Sequence, residues 1–372
     1  MFLKTVMERN QPLVRLGIEW QQNGVILPDT YLLDYDTILE NARSIKQAGD
    51  ANGVQNFFML KQIGRNPLIA RALTDMGYVG AVCVDFREAL TMVENQIPLG
   101  NVGHLVQIPR AALKKILRAK PVIVTVYTLE KAREISAVCT ELGLHQKLML
   151  RVLGEGDMLY SGQYGGFELQ ELDSAVRAIE AMPNVEVGGV CSFPCFLYDE
   201  AAQDILPMPN LRTVQTAAEM LRARGYRDLM LNTPSATCTH SIPMIAAAGG
   251  THGEPGHGLT GTTPYHAGHP DAEERPGYLY VSEVSHNLGD KAYCYGGGHY
   301  RRGHMKNALV GTTPENAKVV PVLPPDDSSI DYHFELQQNC PVSAAAVMAF
   351  RTQFFVTRSR VAVVKGLSSG KP

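Results

Sequence analysis

No apolar run in this sequence approaches the length needed to cross a bilayer, which excludes a helical membrane protein. Basic residues hold no surplus: 34 Lys and Arg stand against 37 Asp and Glu, a net charge of −3. That leaves no basic face for nucleic acid and no polybasic tract for a membrane surface. The seven cysteines are odd in number and form no Cys-x-x-Cys pair. Such a count argues against a disulfide framework and for free thiols in a reducing compartment. The N-terminal Met-Phe-Leu-Lys-Thr-Val-Met-Glu-Arg has neither the apolar core nor the small-residue cleavage site of a secretory signal, so the cytoplasm is expected. No internal repeat or low-complexity segment is present.

What remains is an ordinary globular composition, 45% apolar and 19% charged, over 372 residues. That length exceeds one compact core and predicts two domains. From Thr30 a strand–helix rhythm begins. Tyr31–Asp34 precedes helix 36–48, and residues 56–60 precede helix 67–76. Strands at 80–85, 102–108, 122–127, 147–153, 185–192 and 229–232 each precede a helix in turn. About eight such units with short connections call for a closed parallel sheet, a (β/α)8 TIM barrel of the α/β class. After about Thr262 the chain becomes rich in Gly, His and Pro and then breaks into short β-like pieces. These predict a C-terminal antiparallel β domain. The expected division is 29–261 for the barrel and 262–372 for the β domain, joined by 1–28.

Within the rhythm one stretch carries chemistry. Asn56-Phe57-Phe58-Met59-Leu60-Lys61 is an apolar run ending in a lysine, followed by a glycine and a helix-opening Asn66-Pro67. It reads as a strand buried on both faces, with Lys61 at its C-terminal end, where such barrels keep their active sites. Partial desolvation there suits a lysine to carbonyl chemistry. A lysine that snorkels to the rim is the plainer reading of Lys61 alone. At the last expected barrel strand stands Gly249-Gly250-Thr251-His252-Gly253-Glu254-Pro255-Gly256-His257-Gly258. Its glycines let backbone N–H groups approach an anion, while Glu254 better suits a cationic part of a ligand. Asn232-Thr233-Pro234-Ser235-Ala236-Thr237 offers hydroxyls and an amide before a helix, another phosphate-compatible arrangement. Glycine clusters are more often turns, and Ser or Thr before a helix more often just caps it.

Taken together these segments resemble the fold-type III pyridoxal-phosphate (PLP) enzymes: alanine racemase, ornithine and diaminopimelate decarboxylases and their relatives. The resemblance covers essentially the whole chain. The wording around Lys61 and Ala349-Phe350-Arg351-Thr352-Gln353 is most similar to the YhfX-like, amino-acid-racemase-like branch. It implies that Lys61 is the Schiff-base lysine and that Glu254 faces the pyridine nitrogen. It also implies that Gly256, beside Pro255 and His257, binds the phosphate, with Ser235 as its hydroxyl contact. Arg151 would sit near the cofactor's phenolic oxygen; a rim arginine in a surface ion pair is as ready a reading. A carboxylate at the ring nitrogen makes a strong electron sink, compatible with decarboxylation, elimination or aldol cleavage as well as racemisation. Cys191 stands where relatives often carry a ring-stacking histidine. Phe350–Phe355 lacks the family's phosphate-contacting tyrosine.

Racemisation by two bases needs a second acid/base opposite Lys61. In the family it comes from the partner subunit, which implies a homodimer. Cys340, in Gln338-Asn339-Cys340-Pro341, is the first candidate and Tyr300, in Gly298-His299-Tyr300-Arg301-Arg302, the second. Most cysteines are buried and inert. Arg301 and Arg302 suit a substrate carboxylate, although loop arginines are usually solvated. His104 reads as a hydrogen-bonded core histidine within a strand, and the glycine-rich 154–167 as a mobile loop. His252, His257, His266 and His269 match no tetrahedral spacing, so no structural zinc is expected there. The resemblance to the D-threonine aldolase and D-serine dehydratase branch leaves open a metal near the C-terminal domain, at His333 and Cys340. The expected function is a PLP-dependent amino-acid racemase or epimerase acting on a small-molecule amino acid. The alternatives are a decarboxylase or D-amino-acid aldolase/dehydratase, and a non-catalytic PLP carrier.

Overall fold

The computed structural model describes residues 2–372. The residues up to Ala42, Lys61–Gly64 and His257–Pro372 group as one compact unit, and Arg43–Leu60 with Arg65–Gly256 as another. Among the described residues no helix is long and apolar enough to cross a membrane.

The second unit is a parallel barrel. Its strands run in the order Gln55–Asn56, His252–Gly253, Met230–Asn232, Val185–Cys191, Gln146–Leu153, Ile123–Val126, Leu99–Val102, Ala81–Cys83 and Phe58–Met59. Closure follows because Gln55–Asn56 and Phe58–Met59 are two halves of one chain stretch, parted only at Phe57. The first half pairs with His252–Gly253 and the second with Ala81–Cys83. The Phe57 and Met59 amides continue the seam by donating to the carbonyls of Gly253 and Pro255 at 3.0 and 2.9 Å. Helices alternate with the strands, and their starts are chemically marked. Asn66 caps Pro67–Asp75, Asp85 caps Phe86–Glu94 and Thr128 caps Leu129–Leu142 through side-chain oxygens. The expected (β/α)8 barrel is therefore observed.

Several boundaries differ from expectation. The third strand is Leu99–Val102 and ends where 102–108 was expected to begin, so His104 lies in the bend beyond it. The polar Asn101 and the glycine at 100 hid this strand from a reading of apolar runs. A hairpin not foreseen from the sequence, Phe196–Asp199 with Asp204–Pro207, follows the Val185–Cys191 strand.

The other unit holds an eight-stranded antiparallel sheet with one parallel pair. Thr30–Asp34, expected to open the barrel rhythm, belongs here instead. It pairs antiparallel with Tyr278–Leu288 and parallel with Arg360–Val364. Being buried along its whole length, it reads like a parallel-barrel strand. Two helices, Leu3–Arg9 and Gln11–Gln22, cover one face. Leu3, Val6, Leu13, Leu16 and Ile18 pack with Leu279, Val281 and Val347 in a shared core. The first 28 residues thus supply the apolar side chains that this sheet face needs.

Candidate active site

In the barrel, Glu254 follows directly on the His252–Gly253 strand and is 4% exposed. Burial of a carboxylate demands donors. Its Oε1 accepts from Asn232 Nδ2 at 2.6 Å and from Asn101 Nδ2 at 3.2 Å. Its own backbone amide donates to Thr237 Oγ1 at 3.2 Å. The Asn101 amide is itself oriented by Thr125, whose hydroxyl donates to Asn101 Oδ1 at 2.7 Å. The second carboxylate oxygen, Oε2, accepts no hydrogen bond, and the fully buried His104 ring stands beside it with Nε2 at 3.5 Å. One oxygen is thus saturated and fixed, and the other faces the His104 ring.

Arg151, on the Gln146–Leu153 strand, is 1% exposed. Its NH1 donates to the Tyr127 hydroxyl at 3.0 Å and its NH2 to the Gln163 carbonyl at 2.8 Å. The Tyr127 ring lies 4.9 Å beneath the guanidinium. Nε has no partner. A rim arginine in a surface ion pair, the other reading of this residue, is not what the structure shows. Cys191 feels both charges. Burial is the main cause that pushes its thiol up to about 12, with Arg151 pulling down and Glu254 pushing up.

The glycine-rich 154–167 segment, expected to be mobile, is tied down at several points. Asp157 accepts from the Gly154 amide at 2.9 Å and the Thr213 hydroxyl at 2.7 Å. Asn210 brackets Met158, accepting from its amide at 3.0 Å and donating to its carbonyl at 3.1 Å. The Ser235 hydroxyl donates to the Phe196 carbonyl at 2.8 Å, and the following helix opens only at Ile242. Gly256 is buried in the bend after Glu254 and Pro255.

In the other unit, Lys61 is 8% exposed, and its carbonyl accepts from the Phe354 amide at 3.0 Å. His257 is half-buried and uses both ring nitrogens. Nδ1 lies 3.2 Å from Thr262 Oγ1, and Nε2 accepts from Arg351 Nε at 3.3 Å. Desolvation first, then the positive charges of Arg351 and Lys61, hold this imidazole well below its usual range. Because Arg351 Nε can only donate, Nε2 is the accepting nitrogen of the ring, which leaves Nδ1 to face Thr262 as the donor. Tyr300 is half-buried and accepts from Gln353 Nε2 at 3.3 Å. Cys340 is buried at 6% exposure. Its Sγ points to the Gln338 carbonyl at 3.6 Å, and Asn287 holds its backbone on both sides. Burial pushes this thiol up. Arg301 and Arg302 are exposed.

The histidines read from the sequence as a cluster have separate employments. His252 stacks on Phe57, His266 pairs with Glu274 at 3.0 Å, and His269 stacks on Tyr265. Among the described residues no group of three His, Cys, Asp or Glu side chains is arranged to hold a metal ion. Sequence reasoning missed Asn101, Thr125, Tyr127, Arg351 and Gln353. Asn101 and Thr125 left a signal, each as the one polar side chain in a short buried strand.

A barrel with a buried carboxylate at its seam, followed by an antiparallel β domain, defines a class, and the comparisons agree. The chain belongs to the alanine racemase N-terminal domain family, matched over residues 33–264, and carries a YhfX-like C-terminal domain over 279–372. It is 43% identical to the uncharacterized protein YhfX of Escherichia coli (strain K12), over 100% of this chain and 96% of that one. Diaminopimelate decarboxylase from M. jannaschi shares the fold at a TM-score of 0.66 and 14% identity, covering 94% of this chain and 89% of that chain. D-threonine aldolase from Filomicrobium marinum does so at 0.64 and 17%, covering 87% and 86%.

Proposed function

We propose that the protein is a pyridoxal-phosphate enzyme acting at the α-carbon of an amino acid, and specifically a racemase or epimerase. The observation that carries this reading is the state of Glu254. A buried carboxylate with one oxygen saturated by two amides and the other without a donor is the complement of a protonated ring nitrogen. Arg151 adds the matching half, a buried cation with an unused Nε suited to an anionic ring oxygen. The residues present therefore fit the cofactor.

When bound, the cofactor would supply an electron sink that makes the substrate's α-hydrogen acidic. Glu254 Oε2 would hold the proton on the ring nitrogen, while Asn101 and Asn232 keep its carboxylate from rotating. Arg151 would hold the ring oxygen, fixed in turn by Tyr127 and Gln163. Gly256 and Ser235 would face the phosphate, with His257 at the same turn anchoring Arg351. Lys61 would carry the cofactor through its ε-amine and, once released by substrate, take or return the α-proton on one face. Tyr300 or Cys340 would serve the other face. The resemblance places that group on a second subunit, so a homodimer is part of the proposal.

Incubation with each amino acid in heavy water, both enantiomers separately, tests the reading. A racemase incorporates deuterium at the α-carbon and accumulates the opposite enantiomer without net loss of substrate. Carbon dioxide, aldehyde or ammonia released instead assigns a decarboxylase, an aldolase or a dehydratase, reactions that the strong sink at Glu254 also supports. Bound cofactor with no exchange for any amino acid assigns a carrier.

A further inference from the structure

The turn 103–107 leaves the Leu99–Val102 strand at the end of the barrel that holds Glu254, and side chains rather than regular structure fix its path. Gly103 has φ +91° and runs so close to the neighbouring strand that a Cβ there would lie 2.6 Å from the Thr125 carbonyl oxygen. Gln107 Nε2 donates to the Gly103 carbonyl at 2.9 Å and to the Thr125 carbonyl at 3.0 Å. The Tyr127 amide in turn donates to Gln107 Oε1 at 3.3 Å. What this pinned turn presents is His104. Its ring is fully buried, stands edge-on to Phe193 with centroids 5.7 Å apart, and brings Nε2 to 3.5 Å from Glu254 Oε2. Its carbonyl accepts from the Tyr127 hydroxyl at 2.6 Å, the same hydroxyl that accepts from Arg151 NH1 at 3.0 Å. One residue therefore reaches the buried carboxylate with its ring and the tether of the buried guanidinium with its backbone.

We infer that His104 is the positioning residue of Glu254: its Nε2–H serves Oε2, so that the carboxylate keeps its charge and leaves the proton on the ring nitrogen of the bound cofactor. The inference rests on the function proposed above and deepens it. Each carboxylate oxygen offers roughly two lone pairs. Asn232 and Asn101 take those of Oε1, while on Oε2 one faces His104 and the other serves the ring N–H. Burial is what makes the extra donor necessary. In a dry site a carboxylate beside a protonated ring competes with the neutral pair, in which the proton has crossed to the acid, because burial penalises both charges. A donor to the charged form of the acid opposes that crossing. The hydroxyls of the same network are spent elsewhere, Thr125 on Asn101 Oδ1 and Tyr127 on the His104 carbonyl, so neither can supply it. The role needs no bond to carbon and consumes nothing: a proton is held where it lies.

Nitrogen-15 NMR reads both ends of this contact. In wild-type protein with labelled histidine, the His104 ring is assigned by its loss from the spectrum of His104→Gln, and it should carry a proton on Nε2. A bare Nε2 has nothing to offer Oε2 and overturns the inference, whatever the variants do. The second arm loads the protein with pyridoxal phosphate labelled at the ring nitrogen. In wild type that resonance should lie at the protonated position. His104→Leu keeps most of the bulk and removes the donor, so the resonance should move toward the unprotonated position. The dissociation constant of the cofactor, followed by fluorescence, should rise by about two- to tenfold, the worth of one hydrogen bond. His104→Gln restores an N–H and should return the resonance toward its wild-type place, a rescue that a purely packed ring would not show. A resonance unmoved in a His104→Leu protein that melts like wild type overturns the inference and leaves the proposed function standing. If His104→Leu fails to fold, the wild-type tautomer still gives the answer. Wild-type protein that binds no cofactor, or binds it with an unprotonated ring nitrogen, overturns the reading beneath and the inference with it.

Discussion

Replacing Glu254 by Gln isolates one property of the proposed site, the charge that would face the cofactor's ring nitrogen. The amide oxygen of the variant keeps the position of Oε1 and can still accept from Asn232 and Asn101, the contacts observed at 2.6 and 3.2 Å. No cavity opens, and two buried asparagine donors stay satisfied, so the thermal midpoint should hold close to wild type. What disappears is the charge-assisted hydrogen bond that Oε2, which accepts no other, would accept from the ring nitrogen. A bond of that kind is worth about 1.5–3 kcal/mol, and at about 1.4 kcal/mol per tenfold the loss is roughly 10- to 150-fold in rate. The assay is α-deuterium incorporation in heavy water at saturating cofactor, with the folded fraction checked by melting. A variant that melts like wild type and exchanges at the wild-type rate refutes the reasoning, because the carboxylate would then face nothing that reacts.

Three further outcomes follow from the same structure. Asn232→Leu removes the 2.6 Å donor to a buried carboxylate, so it should cost about 1.5–3 kcal/mol of stability by urea unfolding and weaken cofactor binding in a fluorescence titration. His252 is held at about 4 by burial, so its folded form is neutral while the unfolded chain takes up a proton near pH 6.5. Its contribution is complete above about pH 6.5 and is lost as pH falls toward about 4, on the order of 3 kcal/mol in all. His252→Gln should accordingly flatten the acid side of the stability curve measured by melting. Leu279 is fully buried among Leu13, Leu16 and Val347, and Leu279→Ala should lower stability by about 2–5 kcal/mol in denaturant titration.

Much of this fold could be read in advance because its signals are local. Each barrel unit repeats a buried run, a cap and an amphipathic helix, and the caps at Asn66, Asp85 and Thr128 sit at the expected helix starts. Thr30–Asp34 was misplaced because an apolar run records burial and not its partner. The residues it pairs with are some 250 to 330 positions away. The site divides in the same manner. Lys61 stands out as a charge where an apolar run ends, and Glu254 as a carboxylate within a glycine-rich stretch. Asn101 and Thr125, which orient that carboxylate, are single polar residues whose meaning depends on which strands are neighbours around the ring. Arg351 and Gln353 sit in a stretch without regular structure, and only tertiary contacts with His257 and Tyr300 reveal what they touch. The pinned 154–167 loop was unreadable for a related reason: its tethers, Asn210 and Thr213, belong to a helix beginning some 40 residues later.

The account turns on a covalent bond between one amine and the cofactor, and peptide mapping after borohydride treatment of the cofactor-loaded protein measures that bond directly. The expected result is a single modified peptide containing Lys61, absent from the Lys61→Ala variant. Modification at another lysine, or none at all in protein saturated with cofactor, contradicts it.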